Sequence, residues 1–319
     1  MVVRKSRVGS IFFGLLILLI VFSSVFPFLQ MLSTSLKYPQ DWGNPSLIPK
    51  QINLSAYREI LNLDSSEKEL PEAAQRLLRN PNLTDVQRDA LGAKFRKSKN
   101  IFPFYRFLGS SFLFAGTSAL ITVIIAVFGA YSFSRLQYRG RGTIQRGVLF
   151  VYMFGGTLLV IPLYSLAVQF GMLRSAGGTF SALILIYMVL TLPVALYMLG
   201  NYFRTIPYSI EESASIDGCN RFFIIVRIVV PLSATAIATV YIYCFMIAWN
   251  EYLFASVFLK SYEVIKTLPL GLKALFTSKN AIWDRIMAAS LLSSMPVIVL
   301  FMSFQRYLVA GMSAGGVKE

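Results

Sequence analysis

The sequence predicts an all-α polytopic membrane protein with six transmembrane helices. Three observations carry that prediction. The 319 residues are 55% hydrophobic and only 14% charged, with mean hydropathy +0.61, whereas a soluble domain is about 25% charged. Apolar runs of membrane-spanning length recur along the chain, each close to the ~20 residues that cross a hydrocarbon core of about 30 Å. The short connections between runs alternate between Arg-rich and Arg-poor, as cytoplasmic and external loops do. The net charge of +15 follows from that pattern, and no basic-plus-aromatic motif points to nucleic acid.

The first run, Ile11 to Leu32, follows Arg4, Lys5 and Arg7 and has no small-residue cleavage site after it. A signal peptide has a shorter apolar core and such a site, so residues 1–34 read as a cytoplasmic tail and an uncleaved first span. Residues 35–108 read as an extracytoplasmic loop, since residues 33–106 hold 12 of the 30 basic and 8 of the 15 acidic residues. Two helices are expected inside it. One runs near Leu70 to Arg79 with Pro71 in its first turn. The other starts at Thr84, where Gln87 completes a capping box, and continues to about Lys97. Its tail, Lys94, Arg96, Lys97 and Lys99, fits either a solvated helix end or contact with an acidic partner or lipid headgroups.

Residues 109–319 hold the other five spans. Span two covers about Ser110 to Phe133, and Arg135, Arg139, Arg141 and Arg146 then mark a cytoplasmic loop. Span three, about Val148 to Phe170, is interrupted by Gly155, Gly156 and Pro162; span four, about Phe180 to Tyr202, contains Pro193. These breaks fit close helix packing by small residues or a bent helix lining a pathway. Span five covers about Leu232 to Phe254, and span six about Ile282 to Phe304 with Pro296 inside. Both termini are then cytoplasmic. That orientation puts Arg4, Lys5, Arg7, Arg135, Arg139, Arg141, Arg146, Arg204, Arg221, Arg227, Arg306 and Lys318 inside. Only Arg174, Lys260, Lys266, Lys273, Lys279 and Arg285 lie in or beside the short external loops.

Several chemistries are excluded or weakened. Without histidine there is no Ser-His or Cys-His nucleophile pair and no HExxH zinc site. Cys219 and Cys244 match no metal spacing and are expected as free thiols. Spans one to four contain no acidic residue, so a proton wire of the kind pumps and carriers use is not visible. Glu251, in Trp249-Asn250-Glu251-Tyr252, is the nearest approach. It reads either as an interfacial anchor or as a polar group at the outer mouth of a pathway, with Asn250, Pro162 and Tyr164 as companions. Energy for transport must come from a partner, or else the chain is a passive channel or secondary carrier.

Residues 208–231 stand apart. Ser209 can cap a short helix carrying Glu211 and Glu212 in its first turn, and Asp217-Gly218 can end it, because glycine accepts the left-handed conformation of a helix C-terminus. Arg221 to Val230 then resumes as a helix up to Pro231. From the residues alone this is an amphipathic interfacial segment or a cytoplasmic docking element.

Here the sequence resembles a family. Glu212-Ser213-Ala214, three residues, Gly218, nine residues, Ile228 and then Val230-Pro231 keeps the spacing of the EAA loop of binding-protein-dependent ABC transporter permeases. Ser213 stands where alanine is usual and Val230 where leucine is usual. Ala130-Tyr131 with Arg135, Ile161-Pro162-Leu163-Tyr164, Ile206-Pro207, Trp249 to Tyr252, Thr267-Leu268-Pro269 and Phe304 to Gly311 look like the carbohydrate-uptake branch. Within that branch they resemble the maltose-permease G-type subunit and its glycerol-phosphate, lactose and oligosaccharide relatives. The resemblance covers roughly residues 8–61 and 102–319. It implies a type I ABC importer transmembrane domain in the bacterial inner membrane, paired with a second homologous permease, two cytoplasmic ATPase subunits and an external solute-binding protein. Glu211, Glu212, Ser213, Ala214, Asp217, Gly218 and Pro231 would then form the coupling element. ATP and Mg would be bound by the partner, since no GxxxxGK[ST] loop is present. The departure is a polar insertion at 62–101, expected to be a helical cap over the outer mouth.

Overall fold

The computed structural model describes residues 7–63, 102–153, 156–262, 265–276 and 283–314 (side chains of residues 7–11, 151 and 306–314 excepted). The regular elements among them are all helices. The expected helices at 70–79 and 84–97, and with them nearly all of the insertion 62–101, lie outside the described residues. The chain divides into two compact units: Met1–Phe104 with Leu272–Ser294, and Tyr105–Gly271 with Met295–Glu319.

In the first unit, α1 (Arg7–Ser35) extends the expected span by a turn at either end. Its apolar side chains from Phe12 to Phe22 are exposed, as suits a helix solvated by lipid. The loop after it is built on Lys37, which is almost fully buried and donates to the carbonyls of Asn44 and Ser46 at 2.7 Å each. Those carbonyls answer the desolvation of a buried ammonium. Ser35 Oγ meets Tyr57 Oη at 2.7 Å, which holds α2 (Ser55–Ile60) to the end of α1. Arg285 pairs with Glu59 at 2.5 Å and ties α2 to the start of the last helix.

The second unit contains α3 (Phe104–Arg135, whose first residue belongs to the other unit), α4 (Arg141–Met153), α5 (Val160–Gln169) and α6 (Ala176–Phe203). After these come α7 (Tyr208–Ile216), α8 (Arg221–Leu232), α9 (Ala234–Asn250) and α10 (Leu253–Phe258). Helix α11 (Leu268–Phe276) and α12 (Trp283–Ala314) each contribute to both units. On α3 the buried residues Ala115, Ala119, Thr122, Ala126 and Ala130 recur at spacings of three, four and seven. A stripe of small side chains lets neighbouring backbones approach closely. Thr122 on this stripe meets Thr191 of α6 at 3.2 Å between hydroxyls. Around it Phe114, Tyr187, Phe203, Phe245 and Phe254 are almost completely buried.

Among the described residues four helices, α1, α3, α6 and α12, are long and apolar enough to cross a membrane, and α8 with α9 make a fifth if taken as one bent span. The expected third span is not one helix. It is α4, then a 3₁₀ turn at Gly156–Leu159, then α5. Pro162 is not what interrupts it: it lies in the first turn of α5, where its missing N–H is not needed. The fifth span also differs from expectation. Its helix ends at Asn250, and Glu251 and Tyr252 turn the chain into α10. At its other end α8 and α9 meet at Ser233 with a bend of 83°.

Candidate functional site

Helix α7 and its connections form the more informative of two polar constellations. The helix starts two residues earlier than a Ser209 cap would set it. Its N-cap is Pro207, extended at φ −57°, ψ 130°, with no side-chain cap. Proline pre-sets φ and takes the boundary position, so Ser209 falls inside the first turn. The other end is as expected and better defined. Gly218 sits at φ +83°, Gly218 N–H donates to Ser215 O at 3.2 Å and Cys219 N–H to Ala214 O at 3.0 Å. That is a Schellman closure, in which the residue after the helix must be left-handed. Asn220 then caps α8, its Oδ1 accepting from Phe223 N–H at 2.8 Å.

The two adjacent glutamates face opposite ways. Glu211 is 4% exposed. Its Oε1 lies 2.8 Å from Arg135 Nε, and its Oε2 accepts from the Tyr131 hydroxyl at 2.9 Å. A terminal nitrogen of Arg135 also donates to Ile206 O at 2.6 Å. Ala214, three residues on, is buried on the same face. Glu212, Ser213, Ile216, Asp217 and Gly218 are exposed, as is Pro231 at the end of α8. Ile216, at 81% exposure, is the most exposed of the large apolar side chains on this helix, with Tyr208 and Ile210 also exposed. Removing one partner of a buried ion pair typically costs about 3–5 kcal/mol, because a lone charge is left without water.

The second constellation is at the far end of α9. Glu251 Oε1 accepts from Phe254 N–H at 2.8 Å, and Oε2 from Ala255 N–H at 3.1 Å and the Tyr187 hydroxyl at 3.0 Å. The carboxylate thus satisfies the opening turn of α10 and joins it to α6, favourably against the helix dipole. The sequence reading did not foresee this capping role. Trp249 is buried against Phe112 and Phe245, with ring centroids at 5.0 and 5.4 Å. Glu251, with three donors on it, is a structural cap. Asn250 is exposed, with Nδ2 donating to Met246 O at 2.9 Å. Tyr164 packs edge-on against Phe258 at 5.3 Å, so α5 and α10 touch. Pro162, Tyr164, Asn250 and Glu251 do not line the recess of about 100 Å³ bounded by Phe133, Gln145, Tyr197 and Arg204.

Residues 100–314 match the family described as the binding-protein-dependent transport system inner membrane component. The chain belongs to that family. The permease is 39% identical over 315 residues to the inner membrane ABC transporter permease protein YcjP of Escherichia coli (strain K12), covering 98% of this chain and 97% of that one. It is 35% identical over 219 residues to the trehalose/maltose transport system permease protein MalG of Thermococcus litoralis, covering 68% and 76%. With the maltose/maltodextrin permease MalG of Escherichia coli it shares 29% identity over 321 residues, covering 100% and 99%. In fold it is similar to a crystal structure of a bacterial ABC transporter involved in the import of alginate, with TM-score 0.72 and 21% identity over 96% of this chain and 99% of that one.

The permease therefore brings Glu211 and Ala214 onto one face of α7 and Glu212, Ser213 and Asp217 onto the other. It separates all of these from Asn250, Glu251, Pro162 and Tyr164. The sequence reading quoted Tyr131 only as family likeness and used Arg135 only as that and as a marker of a cytoplasmic loop. The usable signal was the pairing of Glu211 with Ala214 at i, i+3 beside an arginine that closes an apolar helix. Tyr187 was missed altogether, since nothing local distinguishes it from the other aromatic residues of span four.

Proposed function

We propose that this chain is one permease subunit of an ATP-driven importer of a sugar or oligosaccharide in the bacterial inner membrane. The carried solute class comes from the relatives named for maltose, maltodextrin and trehalose transport. In this reading the chain crosses the membrane six times, with α4 and α5 as one broken span and both termini in the cytoplasm. It pairs with a second homologous permease, receives solute from an external solute-binding protein, and carries no catalytic site. Two ATPase subunits bind ATP and Mg and dock on α7.

The observation that carries the docking role is the outward face of α7. It presents Glu212, Ser213 and a strongly exposed Ile216 on a helix whose end is fixed by the Gly218 closure. An apolar patch rimmed by polar groups suits a protein contact, and Tyr208, Ile210 and Ile216 all expose apolar side chains on this helix. The test is co-purification from detergent-solubilised membranes. An ATPase subunit should come with the wild-type permease and be lost from Glu212→Lys combined with Gly218→Asp. Retention by that double variant would remove the docking role. The segment 62–101 is read as a cap that touches the binding protein. Deleting Asp64 to Lys99 should lower binding-protein-stimulated ATPase activity, and full stimulation would sink that part.

A further inference from the structure

Besides the short covalent link back to α6 through residues 204–207, two routes join α7 to the rest of its unit, and they differ in stiffness. The covalent route runs forward through α8 into α9. It contains the turn at Gly218, a π-helical stretch at Ile225–Val229, Pro231 without an N–H, and the 83° bend at Ser233. At that bend the Ser233 side chain is fully buried and its Oγ has no hydrogen-bond partner. Each of these features is a place where a helix departs from its regular ladder and yields.

The non-covalent route runs from Glu211 into α3. Glu211 meets α3 twice, through an ion-pair contact of Oε1 with Arg135 Nε at 2.8 Å that lies outside hydrogen-bond geometry and through a hydrogen bond from the Tyr131 hydroxyl to Oε2, and Arg135 reaches on to Ile206 just before α7 begins. The Arg135 side chain is 11% exposed and that of Glu211 5%, so water competes little for these contacts. A second contact lies beside them: Phe222 at the start of α8 stacks on Phe128 of α3, centroids 5.9 Å apart and planes within 7°. The carboxylate's geometry also fixes the rotation of α7. Turning the helix by one residue, about 100°, would carry Glu211 out and Glu212 toward the pair.

We propose that Glu211, Arg135 and Tyr131 are positioning residues that make α7 and α3 one rigid body. A displacement imposed on the exposed face of α7 is then delivered to α3 and is absorbed in the covalent link to α9. Its use in transport rests on α7 being the ATPase docking helix; the rigidity itself does not.

Pulsed electron paramagnetic resonance tests it. In a Cys219→Ser, Cys244→Ala background, spin labels go on Ser209→Cys of α7 and Ile124→Cys of α3, both exposed positions. The permease is measured in nanodiscs with its co-purified ATPase subunits, without nucleotide and with MgATP and vanadate. The expected result is a single narrow distance population that MgATP and vanadate do not shift, and a second, broader population in Glu211→Gln and in Tyr131→Phe. A nucleotide-dependent shift with the native triad intact would overturn the proposal, and so would a single narrow population in both variants. Should Glu211→Gln fail to accumulate in the membrane, Tyr131→Phe decides, because it removes one hydroxyl and keeps the ion pair. Absence of ATPase subunits from the purified permease would count against the docking reading alone, and the same distances in the permease by itself would still report on the lock.

Discussion

Tyr187 and Glu251 should behave as one energetic unit, and a double-mutant cycle measures it. Tyr187→Phe deletes the 3.0 Å bond to Glu251 Oε2 from a residue that is 1% exposed. A hydrogen bond to a charged group contributes about 1.5–3 kcal/mol, and the carboxylate keeps the Phe254 and Ala255 amides as donors. Glu251→Gln keeps the shape but makes every contact neutral. It also turns an NH₂ toward a donor on at least one side, so a loss of about 2–3 kcal/mol is expected. The double variant cannot lose the shared bond twice. Its destabilisation should fall short of the sum by about 1–2 kcal/mol. Glu251→Ala should be worse than Gln, since it strands the buried hydroxyl of Tyr187 and two N–H groups of the first turn of α10. The assay is thermal unfolding in nanodiscs, followed by tryptophan fluorescence, because Trp249 lies two residues away and is buried. A coupling energy below about 0.3 kcal/mol would refute the clamp.

Gly218→Ala meets no atom within 4 Å of the new Cβ, yet the φ of +83° remains. Its cost should be conformational only, about 1–2 kcal/mol, and should appear as faster exchange of the Gly218 and Cys219 amides rather than as a lower global melting temperature. Cys219 and Cys244 are both free, the first partly exposed and the second buried. A membrane-impermeant maleimide should label Cys219 alone in inside-out vesicles and neither thiol in right-side-out ones. Labelling of Cys219 from the outside would reverse the proposed orientation.

Much of the fold was legible because apolar length is a local property. Spans one, two, four and six appear as single helices, each longer than read because polar end residues such as Arg135 and Ser35 continue the ladder past the apolar stretch. The third span was read as interrupted, but the break was assigned partly to Pro162. A proline breaks a helix only where its N–H is needed, and that depends on where the preceding 3₁₀ turn ends. At the site, the Gly218 closure was legible from the Asp-Gly pair. The inward turn of Glu211 was not, because its partners lie 80 residues away in Tyr131 and further along the same helix in Arg135. The capping role of Glu251 was hidden for a related reason. Its place after Trp249 and Asn250 suggests a membrane boundary, and only the onset of α10 two residues later shows that the carboxylate is needed as a cap.

The π-helical stretch at Ile225–Val229 has an arithmetic consequence. A π turn holds one more residue than the α turn it replaces, so the run between Gly218 and Pro231 carries a spare position. Deleting a single residue there would return the stretch to an ordinary ladder and leave the register of α9 intact. The same deletion inside α7 would rotate its faces by about 100°. The kept nine-residue spacing from Gly218 to Ile228 carries the spare residue with it, and of the two stretches Tyr208–Ile216 should be the more damaged by a change of length.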